Sequence, residues 1–177
     1  MKKTTRETIG AFIIISVAYI ASYTLVAGFI APLQELILPT FTTSISLLFL
    51  PHGIRILAAY YYGWKALPLL LPSMYLMWFI TVYANNISLH PLSPLFSGIA
   101  CIIAVKFIFK NIKHIIEKEW KLLLLAGLVG SFLNGLSHSF LVYKSFLTIS
   151  FIGYTIGDIL GQILLMLMFI YILKFIK

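Results

Sequence analysis

The stretch IGYTIGDILGQILLMLMFIYIL, residues 152–173, contains one charged side chain, Asp158. A helix of this length carries about the ~20 apolar residues needed to cross the ~30 Å hydrocarbon core of a bilayer. Two further runs, Ile9 to Ala31 and Leu122 to Val142, are similarly long and apolar. The chain is therefore expected to cross a membrane several times as α-helices.

Composition supports a membrane-embedded fold. Hydrophobic residues make up 61% of the 177 residues and charged residues 10%, against about 45–50% and about 25% in soluble domains. The apolar runs are continuous, whereas a membrane β-strand would alternate. The predicted fold class is an all-α, polytopic integral membrane bundle of about six transmembrane helices, forming a single domain over residues 1–177.

The six predicted spans set the orientation of the chain. They cover approximately residues 8–31, 38–62, 66–84, 93–110, 121–143 and 152–174. Arg55 falls inside a span, and among the other Lys and Arg residues only Lys144 falls on the outer side when the N-terminus is inside. Positive charge favours the cytoplasmic side. Both termini are therefore expected in the cytoplasm, with the protein in the cytoplasmic (inner) membrane. The basic residues lie at span ends and form no basic face, so no nucleic-acid partner is expected.

Polar residues interrupt the second predicted span at Pro51-His52-Gly53-Ile54-Arg55. Pro51 lacks a backbone donor and Gly53 adds flexibility, so the helix is expected to kink or break there. His52 and Arg55 could donate to the carbonyls that the break frees. Arg55 must also face the bundle interior, pair with an acid, or extend towards the inner headgroups.

Asp158 is the predicted partner of Arg55, because it is the acidic residue well inside a span. His138 and Asp158 lie at similar depths from the outer ends of the fifth and sixth spans, and Asn134 lies one turn below His138. We expect His52, Arg55, Asn134, His138 and Asp158 to form one polar cluster in the outer half of the bundle. Such a cluster is either a ligand site or a network that fixes helix register.

Small residues recur every four positions on two spans. Gly153, Gly157 and Gly161 mark the sixth span, and Gly127, Ser131 and Gly135 mark the fifth. Because small residues let helices approach closely, these two faces are expected to pack against each other, against a partner, or in an oligomer.

No catalytic signature accompanies the cluster. The sequence lacks metalloprotease, phosphate-loop and serine-hydrolase motifs, and its histidines fall in separate segments. Ser137, His138 and Ser139 are adjacent, and helical neighbours point to different faces. Cys101 is the sole cysteine, which excludes an intramolecular disulfide and a thiolate metal site. An enzyme is not expected, and the sequence indicates neither a metal nor a cofactor.

Two motifs resemble the first type of membrane-associated sensor domain in bacteria. The first comprises Pro51, Gly53 and Gly63-Trp64-Lys65, followed by Ala66-Leu67-Pro68; the second is Gly157-Asp158-Ile159-Leu160-Gly161. Members of that family are longer and are followed by a cytoplasmic output domain. The resemblance implies a short sensory module that signals to a separate partner.

The outline is also similar to the substrate-binding subunits of energy-coupling-factor vitamin transporters, with a glycine turn at Tyr62-Gly63-Trp64. Three functions therefore stay open: a sensory or ligand-responsive module, a subunit for small-solute transport, and a purely structural membrane protein. The ligand and the partner beyond the lipid bilayer are not indicated.

Overall fold

The computed structural model describes residues 3–38, 46–85, 89–111, 119–140 and 149–176. All the elements in these ranges are helical, which confirms the predicted all-α fold class. The helices are α1 (Lys3–Leu25), α2 (Ala31–Ile37), α3 (Pro51–Tyr62), α4 (Ala66–Asn85), α5 (Ser93–Asn111), α6 (Glu119–His138) and α7 (Ile149–Ile176).

Five stretches of the described residues are long and apolar enough to cross a membrane. They are Thr5–Ile37, Pro51–Ala84, Ser93–Lys110, Glu119–His138 and Phe151–Ile172. Large apolar side chains cover much of the outer surface, with Ile14 70%, Tyr83 69% and Phe175 88% exposed. Soluble monomers rarely expose so much contiguous apolar surface, so lipid contact explains this one.

The first helical stretch is longer than the predicted span, which ended at residue 31. A five-residue π-helical segment, Val26–Ile30, connects α1 to α2, and the helical backbone continues to Ile37. Pro32 lies in the first turn of α2, where the missing N–H is tolerated. Pro32 is therefore accommodated within a continuous helix.

The predicted break at Pro51 is confirmed, because α3 begins at that residue. Residues 46–50 form turns and bends instead of the helix expected from residue 38. Among the described residues of this span, the helical part is the 12 residues of α3, or about 18 Å. Gly53 lies within the regular helix, where a Cβ would collide with Leu165 and approach Gln162 of α7.

A sharp turn at Gly63 joins α3 to α4. Gly63 has φ +54° and ψ −129°, a conformation that a residue with a Cβ rarely adopts. The Tyr23 ring of α1 packs edge-on against Phe49, just before α3, at 5.8 Å between centroids. The Tyr23 hydroxyl also lies 2.7 Å from Thr81 Oγ1, near the end of α4. Helix α4 therefore runs back along α3.

Helix α3 occupies the centre of the bundle. It contacts α1, α4, α5, α6 and α7, and eight of its 12 residues are buried. These include His52 and Arg55, at 0% and 2% exposure. The central helix of an apolar bundle thus carries two of its most polar side chains.

The predicted pairing of two small-residue faces is wrong for Gly157 and Gly161. A Cβ at Gly157 would collide with the carbonyl of Ser46, and one at Gly161 would collide with the backbone of Phe49. The Phe49 N–H donates to the Gly157 carbonyl oxygen at 2.9 Å. Because the non-helical backbone needs close hydrogen-bonding partners in an apolar environment, the glycine face of α7 receives residues 46–49 instead of α6.

Gly127 and Gly135 of α6 do face α7, as expected. A Cβ at Gly127 would overlap the Gln162 side chain, and one at Gly135 would meet Phe151 and Thr155. Five of the lysines on which the predicted orientation depends lie outside the described residues: Lys2, Lys113, Lys118, Lys144 and Lys177. His114 lies outside them too.

Candidate functional site

Asp158 receives three side chains from two helices of the bundle, α3 and α6. Asn134 Nδ2 of α6 donates to Asp158 Oδ2 at 2.6 Å. His52 Nδ1 lies 3.2 Å from the same oxygen, and Arg55 Nη2 lies 3.4 Å from Oδ1. These four residues, His52, Arg55, Asn134 and Asp158, are all buried and are called the buried polar cluster below.

The structure decides between the alternatives for Arg55. Its side chain pairs with Asp158 inside the bundle and does not extend towards headgroups at a helix end. The expectation that His52 and Arg55 serve carbonyls of their own broken helix is wrong for the described contacts. His52 Nε2 instead lies 3.1 Å from the Gly127 carbonyl of α6, so the polar groups of α3 join it to α6 and α7.

His52 is held at both ring nitrogens. Ser131 Oγ lies 3.1 Å from Nε2 and already donates its proton to the Gly127 carbonyl at 2.8 Å. Nε2 must therefore carry a proton and donate, because both of its neighbours accept. Nδ1 lies between Asp158 and Arg55 Nη2, which is 3.3 Å away. The neutral ring accepts from Arg55, whereas the protonated ring donates to Asp158.

His138 joins the cluster through Ser97 of α5. Ser97 Oγ donates to Asn134 Oδ1 at 2.6 Å and lies 3.4 Å from His138 Nε2. Since the serine proton is used, His138 Nε2 is the donor in the second contact. The His138 ring stacks on Tyr154 of α7 with centroids 4.6 Å apart. His138 thus lies near Asp158, as its depth in the sequence suggested, and is linked to it through Ser97 and Asn134.

A cavity of about 520 Å³ adjoins the buried polar cluster, within the ~300–1,000 Å³ common for small-molecule sites. It lies at the end of the bundle where α2, α4 and α6 end and α5 and α7 begin. Glu35 is exposed at its rim. The lining residues include Tyr19, Tyr23, Val26, Gln34, Phe49, Arg55, Trp78, Ser93, Ser97, Asn134, His138, Tyr154 and Asp158.

Several buried polar atoms at this cavity have no protein partner. Among the described residues, five buried side-chain atoms lack a hydrogen bond, and four of them belong to the cavity lining: Arg55 Nε, Trp78 Nε1, Ser93 Oγ and His138 Nδ1. A buried unsatisfied donor costs about 1–3 kcal/mol. Buried atoms without a protein partner are thus concentrated on residues that line one cavity.

Sequence reasoning missed much of the cavity lining. Tyr19 and Tyr23 on α1, and Ser93 and Ser97 on α5, line the cavity together with Trp78. The two tyrosines and the two serines are each four residues apart and therefore share a helix face, which was the available signal. Trp78 is half-buried and lines the cavity as well.

The residues of the two sequence motifs do not form one site. Pro51 and Gly53 belong to the central helix α3 beside the cluster. Gly157 and Gly161 pack against residues 46–49, which come just before α3. Trp64 instead lies at the far end of α3, 50% exposed, with Lys106 Nζ 5.2 Å from its ring centroid. Gly153 is buried on α7, towards the cavity end of that helix.

No family model matches this chain, and no curated protein and no solved structure matches it.

Proposed function

We propose that this chain is a multi-pass protein of the cytoplasmic membrane that binds a small polar solute and responds by a change in helix packing, without enzymatic activity. The cavity beside Arg55 and Asp158 carries the proposal. It combines a suitable volume with a buried ion pair and four unpaired polar atoms. A purely structural network would be expected to satisfy its own polar groups.

The proposed topology has six crossings with both termini in the cytoplasm. Helix α3 supplies about 18 Å of the second crossing, and the turns and bends of residues 46–50 precede it in the same crossing. With this topology the cavity opens on the outer side, where solutes arrive.

Helix α3 suits a role in response, because it contacts every other long helix and carries the cation of the ion pair. A solute that engages Arg55 competes with its contact to Asp158 on α7. The differential contact energy between the two arrangements would shift the position of α3 relative to α7. A separate membrane or cytoplasmic partner would then detect that shift.

A second candidate function is that of a solute-binding subunit of a transporter. The opening of the cavity at one end of the bundle supports this alternative, since such a subunit must load from one side. Uptake of labelled solutes by cells that make the protein distinguishes the two functions. Accumulation above that of control cells favours transport, and retention without accumulation favours sensing.

The direct test is native mass spectrometry of the protein released from lipid nanodiscs. We expect a small molecule to be retained by the natural protein and lost from Ala27→Phe, which places a ring in the cavity lining. The control is Val17→Phe, which adds a ring at a position 61% exposed on the outer surface. Absence of a retained molecule in the natural protein, or equal retention in both variants, would contradict the proposal.

A further inference from the structure

We infer that the solute bound in this cavity is a small organic carboxylate with a flat, apolar body. This inference rests on the proposed function and specifies its ligand. It is carried by the balance of donors and acceptors around the cavity and by the aromatic lining.

The buried acid of the cavity is already occupied. Asp158 Oδ2 faces Asn134 and His52, and Oδ1 faces Arg55. A cationic solute would have to displace these donors before it could reach the carboxylate. Glu35, the acid at the rim, is exposed, so water and salt screen its charge. The cavity therefore offers little to a cation.

The buried cation is only partly used. Among the described residues Arg55 donates through Nη2 alone, at 3.3 Å to His52 and 3.4 Å to Asp158, and its Nε is unpaired. Guanidinium presents five donors in a planar fork that matches a carboxylate at two points. Arg55 thus retains donors of the geometry that a second carboxylate requires.

The surroundings of Arg55 add to its preference for an anion. Helix α3 begins at Pro51 inside the bundle, so the positive end of its dipole lies near the cavity. Trp78 Nε1 and Ser93 Oγ, both unpaired and on cavity-lining residues, supply further donors. Of the four unpaired atoms, Arg55 Nε and Trp78 Nε1 can only donate, Ser93 Oγ can donate or accept, and His138 Nδ1 accepts when Nε2 carries the proton. An acceptor-rich group on the solute complements the two atoms that can only donate.

Aromatic rings provide the apolar part of the site. Tyr19, Tyr23, Phe49, Trp78 and Tyr154 all line the cavity. Arg55 Cζ lies 5.4 Å from the Phe49 ring centroid, which places the cation beside this aromatic surface. A flat ring with one carboxylate arm could pack against the aromatic residues while its arm reaches Arg55.

The test uses three probes that share an indole ring and differ in charge: indole-3-acetate, indole-3-acetamide and tryptamine. Binding is measured by isothermal titration calorimetry with the full-length protein in lipid nanodiscs. Indole-3-acetate is expected to bind at least about tenfold more tightly than the amide, because hydrogen bonds to charged groups are roughly twice as strong as neutral ones. Tryptamine is expected to bind most weakly.

Two variants assign the effect to the cavity. Trp78→Phe keeps a ring and removes one donor, and should weaken indole-3-acetate binding by about 2- to 10-fold. Arg55→Lys keeps the charge and removes the fork, and should reduce the preference for acetate over acetamide. Trp120→Phe is the matched control, since Trp120 is 51% exposed at the other end of α6, and it should leave binding unchanged.

The outcomes separate this inference from the function on which it rests. Tighter binding of tryptamine, or equal binding of acetate and acetamide, would overturn the carboxylate and leave the solute-binding function standing. No binding by any probe would also overturn the inference, while the mass measurement of a retained molecule decides the function independently. An unchanged acetate affinity in both Trp78→Phe and Arg55→Lys would place the probe elsewhere and overturn the assignment.

Discussion

Asp158 shows how a single acidic residue can be stable in an apolar bundle. Asp158 is only 1% exposed, and its carboxylate faces Asn134, His52 and Arg55. Burying an ion pair gains little net free energy, because desolvation offsets the attraction, but removing one partner leaves an uncompensated charge. The stability of the bundle should therefore depend on the pair as a unit.

We expect Asp158→Asn to lower the free energy of unfolding by about 3–5 kcal/mol, since it leaves Arg55 buried without its counter-ion. Arg55→Gln should cost a similar amount. The double variant should lose less than the sum of the two, because neither charge then remains. Thermal and denaturant unfolding in mild detergent measure all three variants.

Glu35→Gln is the control for this cycle, as it removes the charge of an exposed acid at the rim. It should change stability by less than about 0.5 kcal/mol. Strictly additive losses in the double variant would show that Arg55 and Asp158 do not interact.

At the scale of elements, the decisive contact is between α7 and the non-helical segment 46–50. The Phe49 N–H donates to the Gly157 carbonyl oxygen, and the Leu47 N–H donates to Gln34 Oε1 of α2 at 2.8 Å. The absence of side chains at Gly157 and Gly161 allows this backbone to lie against the helix. The segment in turn sets where α3 begins, and so where Arg55 lies.

Gly161→Ala should therefore destabilise the protein by about 2 kcal/mol, because the added methyl group would collide with the backbone of Phe49, which cannot move as a side chain can. Alanine is otherwise the better helix former, so propensity alone predicts the opposite sign. The change in melting temperature in detergent measures the effect.

Gly10→Ala is the matched control on α1, where a Cβ would meet nothing within 4 Å. It should leave stability unchanged or raise it by about 0.5–1 kcal/mol. Equal effects at both positions would mean that the 46–50 segment does not pack on Gly161.

The comparison of sequence with structure is clearest for α3 and α7. Long apolar runs were enough to predict helices, and Pro51 was enough to predict the break. The spacing of Gly157 and Gly161 predicted a close approach but not its partner, because any backbone, helical or extended, fits a face without side chains. The partner depends on the path of a segment whose apolar sequence carries no periodicity.

The candidate site was predictable in its charged part and not in its apolar part. The cost of burying Arg55 and Asp158 in lipid leaves few arrangements other than contact between them. Tyr19, Tyr23 and Trp78 carry no such cost, since an aromatic residue in a span can face lipid, core or cavity. Their position at the cavity follows from how α1 and α4 pack and is not encoded in local sequence.

At the scale of the whole molecule, the charge distribution predicts which end of the bundle faces the outside. The end with the cavity carries Glu35 at the rim, whereas the opposite end of the bundle carries Lys65, Lys106 and Trp64. A membrane-impermeant maleimide tests this in intact cells, with Cys101→Ala as the cysteine-free background. Glu35→Cys should be labelled from outside and Lys65→Cys only after the cells are permeabilised.

Both positions are exposed, so accessibility within the protein does not bias the comparison. Cys101 itself is fully buried, and its removal is expected to leave the bundle intact. Labelling of Lys65→Cys in intact cells, with protection of Glu35→Cys, would reverse the proposed orientation.

The separation of Arg55 and Asp158 by 103 positions has a consequence for biosynthesis. A ribosome delivers the chain from its N-terminus, so α3 is made long before the carboxylate that neutralises it. Until α7 enters the bilayer, Arg55 and the Phe49 N–H lack their partners on that helix. Newly made protein should therefore mature late, and chains truncated ahead of residue 149 should be recognised as unfinished and degraded.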